Sequence, residues 1–150
     1  MALARSAFVI PYAVGLQFWH PQRSPDEVTA ALGLDPVRCW NKGAARSRPD
    51  GLPLSGRHED NYWRIEFRVE GDGDIALRDA IGAELDKLGS AKAFLNAYTT
   101  ERGRILMTIY WRLKESVGDD SLPHSFLARL ADFRLDLEIA QLRSDEEGNE

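Results

Sequence analysis

Apolar positions along this chain recur with two periods. From Phe8 to Phe18 every even position is apolar: Phe8, Ile10, Tyr12, Val14, Leu16 and Phe18. A period of two puts all six on one face of a strand. Pro11 has no N–H to give to a ladder, which places it at an edge, at a bulge or ahead of the paired region. Alternation returns at Trp63, Ile65, Phe67 and Val69, with Arg64, Glu66 and Arg68 between them. This is the pattern of a half-exposed strand. Ile105, Met107, Ile109, Trp111 and Leu113 alternate as well. Their intervening Leu106, Thr108 and Tyr110 mark a strand that is central or covered on both sides. Leu135, Leu137 and Ile139, separated by Asp136 and Glu138, predict a final strand. Val37 to Lys42 reads as a short strand without clean alternation.

Helical spacing fills the intervals. Ser24-Pro25-Asp26-Glu27 has the form of a capping box with Pro at the first helical position. Val28, Ala31 and Leu32 make the inward stripe, and Gly33 suits the left-handed exit. Gly71-Asp72-Gly73-Asp74 turns the chain and offers an N-cap. Ile75, Leu77, Ile81, Leu85 and Leu88 follow at helical spacing. Gly89-Ser90 interrupts, and Ala91 to Thr99 predicts a second segment with Phe94, Leu95 and Tyr98 inward. Ser121 caps a last helix carrying Phe126, Leu127, Leu130 and Phe133. Gly43 to Asn61 is rich in Gly, Pro, Ser and Arg and reads as a long loop. Loops of that length inside a compact domain are functional or mobile.

The element order predicts an α+β fold: a two-layer sandwich of a mainly antiparallel sheet of 4–5 strands with helices on one face. Its first six elements match a ferredoxin-like β-α-β-β-α-β core, followed by a helix–strand extension. Residues 1–142 form one domain on this reading, and 143–150 is an acidic tail expected to fray. A parallel doubly wound sheet fits less well, because two strands carry charges on alternate residues.

These residues resemble a known family. Leu32-Gly33-Leu34-Asp35-Pro36 after a capped helix is similar to the uncharacterised bacterial family called domain of unknown function 4279. So are Trp40 with Lys42-Gly43, the Gly/Pro/Arg-rich loop, the Trp63 strand and the closing Leu135-Asp136-Leu137-Glu138-Ile139 strand. The likeness spans roughly residues 8 to 142. It implies a small bacterial, cytoplasmic, single-domain protein and brings no catalytic residues with it.

Charge changes the picture more than overall composition does. The 150 residues hold 19 Lys and Arg against 24 Asp and Glu, a net charge of −5. Between Arg38 and His58 stand five cations and one anion, so that segment is +4 and the rest of the chain is −9. An acidic body disfavours nucleic acid as a partner. Arg104 to Trp111 also lacks the Gly-aromatic core of an RNA-recognition motif. No apolar run approaches the roughly 18 residues of a membrane helix. One cysteine, Cys39, excludes an internal disulfide, and a cytoplasmic setting without signal peptide is expected.

Candidate chemistry concentrates in the basic segment. Arg38, Lys42, Arg46, Arg48 and Arg57 lie near Trp40 and Tyr62. Arginine pairs carboxylate or phosphate bidentately and stacks on aromatic rings. The leading expectation is therefore a non-enzymatic binding domain with Trp40 as anchor. Its partner would be an acidic protein surface or a small anionic ligand, and an immunity-like role is one version. A competing expectation leaves these arginines solvated or paired with the acidic body. An enzyme site under the loop would use Cys39, His58 or Glu59. A homodimer would use a sheet face carrying Val9, Ala13, Leu106 and Tyr110. No cofactor or metal is expected. Ser55 is flanked by Pro53 and Arg57 where a nucleophile elbow needs glycines, and His20, His58 and His124 are scattered.

Overall fold

A computed structural model describes residues 12–69, 77–112 and 122–142. The chain is an α+β domain with four α-helices among the described residues, a mixed five-stranded sheet and a separate two-stranded sheet. In chain order the elements are β1 (Tyr12–His20), α1 (Pro25–Leu32), β2 (Arg38–Trp40), β3 (Ala45–Ser47), β4 (Pro53–Arg57) and β5 (Asn61–Val69). Then come α2 (Leu77–Lys87), a short 3-10 turn (Gly89–Ala91), α3 (Lys92–Thr100), β6 (Arg104–Arg112), α4 (His124–Asp132) and β7 (Asp136–Leu142).

The main sheet runs β2-β5-β1-β6-β7. Three of its pairings are antiparallel, and β7 joins β6 in parallel. That parallel edge follows from the connection through α4, since a crossover helix returns the chain in the same direction.

Alternation along the strands sorts the two faces. Val14, Leu16 and Phe18 of β1 meet Trp63 of β5 and Ile105, Met107 and Ile109 of β6 in one buried cluster. Residues from all four helices join it, among them Val28, Ile81, Leu85, Leu95, Phe126 and Leu130. Trp63 is its largest member at 1% exposure. Its indole N–H donates to the Thr29 hydroxyl on α1 at 2.9 Å. Phe18 packs edge-on against both Trp63 and Tyr98. Arg129 of α4 ties back to α2 by pairing with Asp86 and donating to the Gly82 carbonyl.

Local signals for α1 are present as expected. Pro25 opens it, the Glu27 carboxylate accepts from the Ser24 N–H at 2.7 Å, and Gly33 ends it in the left-handed region. The expected start of α2 around Asp72 to Ile75, the Phe8–Pro11 stretch and the 143–150 tail lie outside the described residues. Among the described residues no helix is long and apolar enough to cross a membrane.

One expectation needs correction. The segment read as a loop from Gly43 to Asn61 contains a β-hairpin, β3–β4, and its last residue opens β5. Pro49, Asp50 and Gly51 form its tip. The Gly51 N–H reaches the Arg48 carbonyl at 2.9 Å, and Gly51 has a φ of 89° that a Cβ would resist. Every residue of β3 and β4 is exposed, so the hairpin buries no stripe that could show as periodicity.

At the end of β1 stands a buried histidine. His20 is 1% exposed, and its Nδ1 accepts the backbone N–H groups of Gln22 and Arg23 at 2.9 and 2.8 Å. Nδ1 is thus unprotonated and the ring proton sits on Nε2. Burial holds its pKa below 6.5, and nearby Glu101, Glu27 and Asp60 offset that only in part, while Arg23 adds to it. Unfolded His20 takes up a proton near pH 6.5 that the folded ring refuses. Stability is therefore full above that pH and falls as pH drops below it. We expect urea midpoints to decline between about pH 7.5 and about pH 5.5. His58, also shifted down, adds a slope of the same sign. His20→Asn keeps an acceptor at the Nδ1 position but does not titrate, so it should flatten the decline. An equal slope in that variant would remove His20 as its source.

Candidate functional site

The cations read from the sequence collect around the hairpin and the strand beside it. Arg38 lies on β2, Arg46 on β3, Arg57 on β4, and Arg48 and Lys42 flank them. Their partners are mostly backbone. Arg38 donates to the Ser47 carbonyl at 3.1 Å, Arg57 to the Gly43 carbonyl at 2.8 Å and Arg46 to the Ser55 carbonyl at 3.5 Å. Arg48 alone among them pairs with a carboxylate in the described residues, Asp50 of its own turn at 3.0 Å. Lys42 contributes its backbone N–H to the Asn61 side chain at 2.7 Å. Among the described residues the basic segment is thus tied to itself rather than to the acidic body. A carbonyl fixes a guanidinium without cancelling its charge.

Trp40 and Tyr62 sit directly opposite each other in the β2–β5 register. Tyr62 is 7% exposed and its hydroxyl donates to Gln17 at 3.1 Å. Burial raises its pKa, and the cations Arg64 and Arg38 oppose that rise. Trp40 stacks on Tyr62 with centroids 4.0 Å apart and on His58 at 3.9 Å, both nearly parallel. Two parallel rings this close would overlap each other on one face of the indole, so they occupy its two faces. Trp40 is clamped between them. It is an anchor of the hairpin base on the sheet, and its flat faces are taken. His58 is held below its usual pKa by burial and by Arg46 and Arg38.

The row continues across the sheet. Trp19 lies opposite both Tyr62 and Arg104 in register. Trp19 tilts against Tyr62 at 5.4 Å, and Arg104 lies over Trp19 at 5.4 Å. The Arg38 guanidinium carbon stands 5.1 Å from the centre of the Trp40 ring. One row across four strands therefore reads His58, Trp40, Tyr62, Trp19, Arg104, on the face opposite the helices. Sequence reasoning did not join Trp19 and Arg104 to this row. They stand on separate strands, and only the strand register brings them together.

The other candidates do not converge. Cys39 is opposite Trp63 in register, so it points to the helix side, away from Trp40 and His58. It is exposed rather than buried. No hydrogen bond links it to His58 or Glu59 among the described residues. On the proposed apolar face, Ala13 and Tyr110 do lie opposite each other. Leu106 is only 7% exposed, however, and Val9 lies outside the described residues. Among the described residues no three His, Cys, Asp or Glu side chains are grouped to hold a metal ion.

No curated protein and no solved structure matches the chain. A family model does: the domain of unknown function called DUF4279 matches residues 10–143, nearly the whole of it, and the chain belongs to that family.

Proposed function

We propose that this chain is a non-enzymatic binding domain that captures an acidic protein surface or a small anionic ligand through residues 38–62. The observation that carries this reading is the way the arginines are held. Arg38, Arg46 and Arg57 are fixed by carbonyl oxygens, which leaves their charge available. A guanidinium already ordered loses less entropy on pairing with an anion. The clamp of His58, Trp40 and Tyr62 supports the reading by fixing the hairpin base. Trp40 then serves as the foundation of the surface rather than a stacking platform. Lys42 and Arg48 complete the contact set, with Asp50 displaced or shared when the partner binds.

Retention on immobilised oligoglutamate at about 0.1 M salt tests this. The wild type should be retained and Arg46→Glu/Arg48→Glu should flow through, with unchanged circular dichroism. Equal retention of the two would sink the proposal. We also read β2-β5-β1-β6 as a ferredoxin-like core with α4 and β7 appended. Support comes from the strand order and from the antiparallel direction of all three pairings among those strands. A cytoplasmic setting belongs to the same reading, and the exposed, unpaired Cys39 favours it.

A further inference from the structure

Two helices end in the same uncommon way. After α3, Arg102 has φ 74°, and the Gly103 N–H reaches back to the Tyr98 carbonyl at 2.8 Å. After α4, Arg134 has φ 60°, with Leu135 N–H on the Leu130 carbonyl and Arg134 N–H on the Ala131 carbonyl, both at 3.0 Å. Both exits place an arginine at the left-handed position where glycine is the favoured residue. A side chain there costs about 1 kcal/mol or more. Strain kept twice at equivalent positions calls for a use of those side chains.

Their surroundings suggest that use. A cleft of about 380 Å³ opens between the exits, lined by Thr99, Thr100, Arg104, Ala131, Arg134 and Asp136 among others. Each arginine in it is anchored by its inner nitrogen. Arg134 Nε donates to the Asn96 side chain at 3.2 Å, and Arg104 Nε to Asp136 at 3.2 Å. Among the described residues the outer nitrogens of both have no hydrogen-bond partner. These are forks with their planes held and their tines free, the arrangement that grips an oxyanion bidentately. Asp136 offsets one charge. The adjoining cleft that shares Arg104 adds Arg102 and Asp60, which offset each other, so one positive charge remains in excess.

We propose that this cleft is a binding site for a small, multiply charged oxyanion, with Arg134 and Arg104 as its direct partners. Its size suits a small molecule rather than a protein surface. The site is separate from the hairpin and does not depend on the function proposed there.

Calorimetric titration with pyrophosphate and with citrate, each against KCl of equal ionic strength, tests the site and separates phosphate from carboxylate sources. The wild type should bind at least one of the two. Arg134→Gly should weaken that binding by about tenfold or more while the ligand-free protein melts higher, because glycine suits the left-handed exit. Arg104→Gln should weaken it to a similar degree. Arg46→Glu/Arg48→Glu should leave it unchanged. Wild-type heats no different from KCl would overturn the proposal. So would full affinity in both Arg134→Gly and Arg104→Gln, or binding lost only in the hairpin variant.

Discussion

Trp63→Ala should remove about 4 kcal/mol of stability, the largest loss expected from any single truncation here. Trp63 is the bulkiest side chain with almost no exposure, and it joins three elements. Its indole bonds Thr29 on α1, its ring meets Phe18 of β1 edge-on, and its own strand carries the edge strand β2. Alanine would leave a cavity that helices pinned by other contacts cannot fill, and cavity and transfer costs add. Stability of ordinary domains is about 5–15 kcal/mol, so the variant should unfold at low urea or not accumulate at all. Trp63→Phe keeps most of the ring and should lose about half as much, which holds the test open if alanine fails to fold. Trp19→Ala, on the opposite face and half-exposed, should lose much less. Equal urea midpoints for Trp63→Ala and Trp19→Ala would contradict the assignment of faces.

The two faces are legible in the sequence. Alternation in β1, β5 and β6 is strong because one face of each packs on helices and register is fixed wherever one face is buried; in β7 Leu137 packs on the core while Ile139 is exposed. The start of α1 is legible for a related reason: Ser24, Pro25, Glu27 and Gly33 each serve a backbone need local to the helix end. The β3–β4 hairpin is not. Ala45–Ser47 and Pro53–Arg57 are exposed throughout, so nothing in their pattern answers to a core. Only Pro49-Asp50-Gly51 signals the turn, and a turn does not reveal whether paired strands flank it.

The candidate site divides in the same way. Local charge singles out Arg38, Arg46, Arg48 and Arg57, because a run of cations in an acidic chain is visible in one dimension. What each arginine holds is not visible there. By charge alone the acidic body is their natural partner, yet among the described residues Arg38, Arg46 and Arg57 bond carbonyls of residues 43–55. Trp40 stands out as an aromatic beside the basic run, but its role turns on register. Opposite Tyr62 and covered by His58, it has both faces of its ring occupied by neighbours. Arg102 and Arg134 give no signal, because the left-handed exit is normally announced by the glycine that both lack.

Gly103→Ala should cost about 3 kcal/mol, although nothing in its backbone angles demands glycine. The demand comes from Tyr98. A Cβ on residue 103 would stand 2.6 Å from Tyr98 Cε1 and closer still to Cδ1 and to the Tyr98 carbonyl oxygen. That carbonyl accepts the Gly103 N–H, so the backbone cannot retreat without breaking the exit of α3. Nor can the ring swing away. Tyr98 is 1% exposed and is packed against Phe18 and His20. Gly103→Ala should lower the urea midpoint sharply. Adding Tyr98→Leu should recover part of the loss, because the carbonyl clash remains when the ring clash is gone. Full recovery would mean that the carbonyl contact relaxes freely, and a loss below about 1 kcal/mol would mean that the whole exit does. Gly103 is thus reserved for a close approach of ring and chain, and the left-handed turn just before it falls to Arg102, which must bear it.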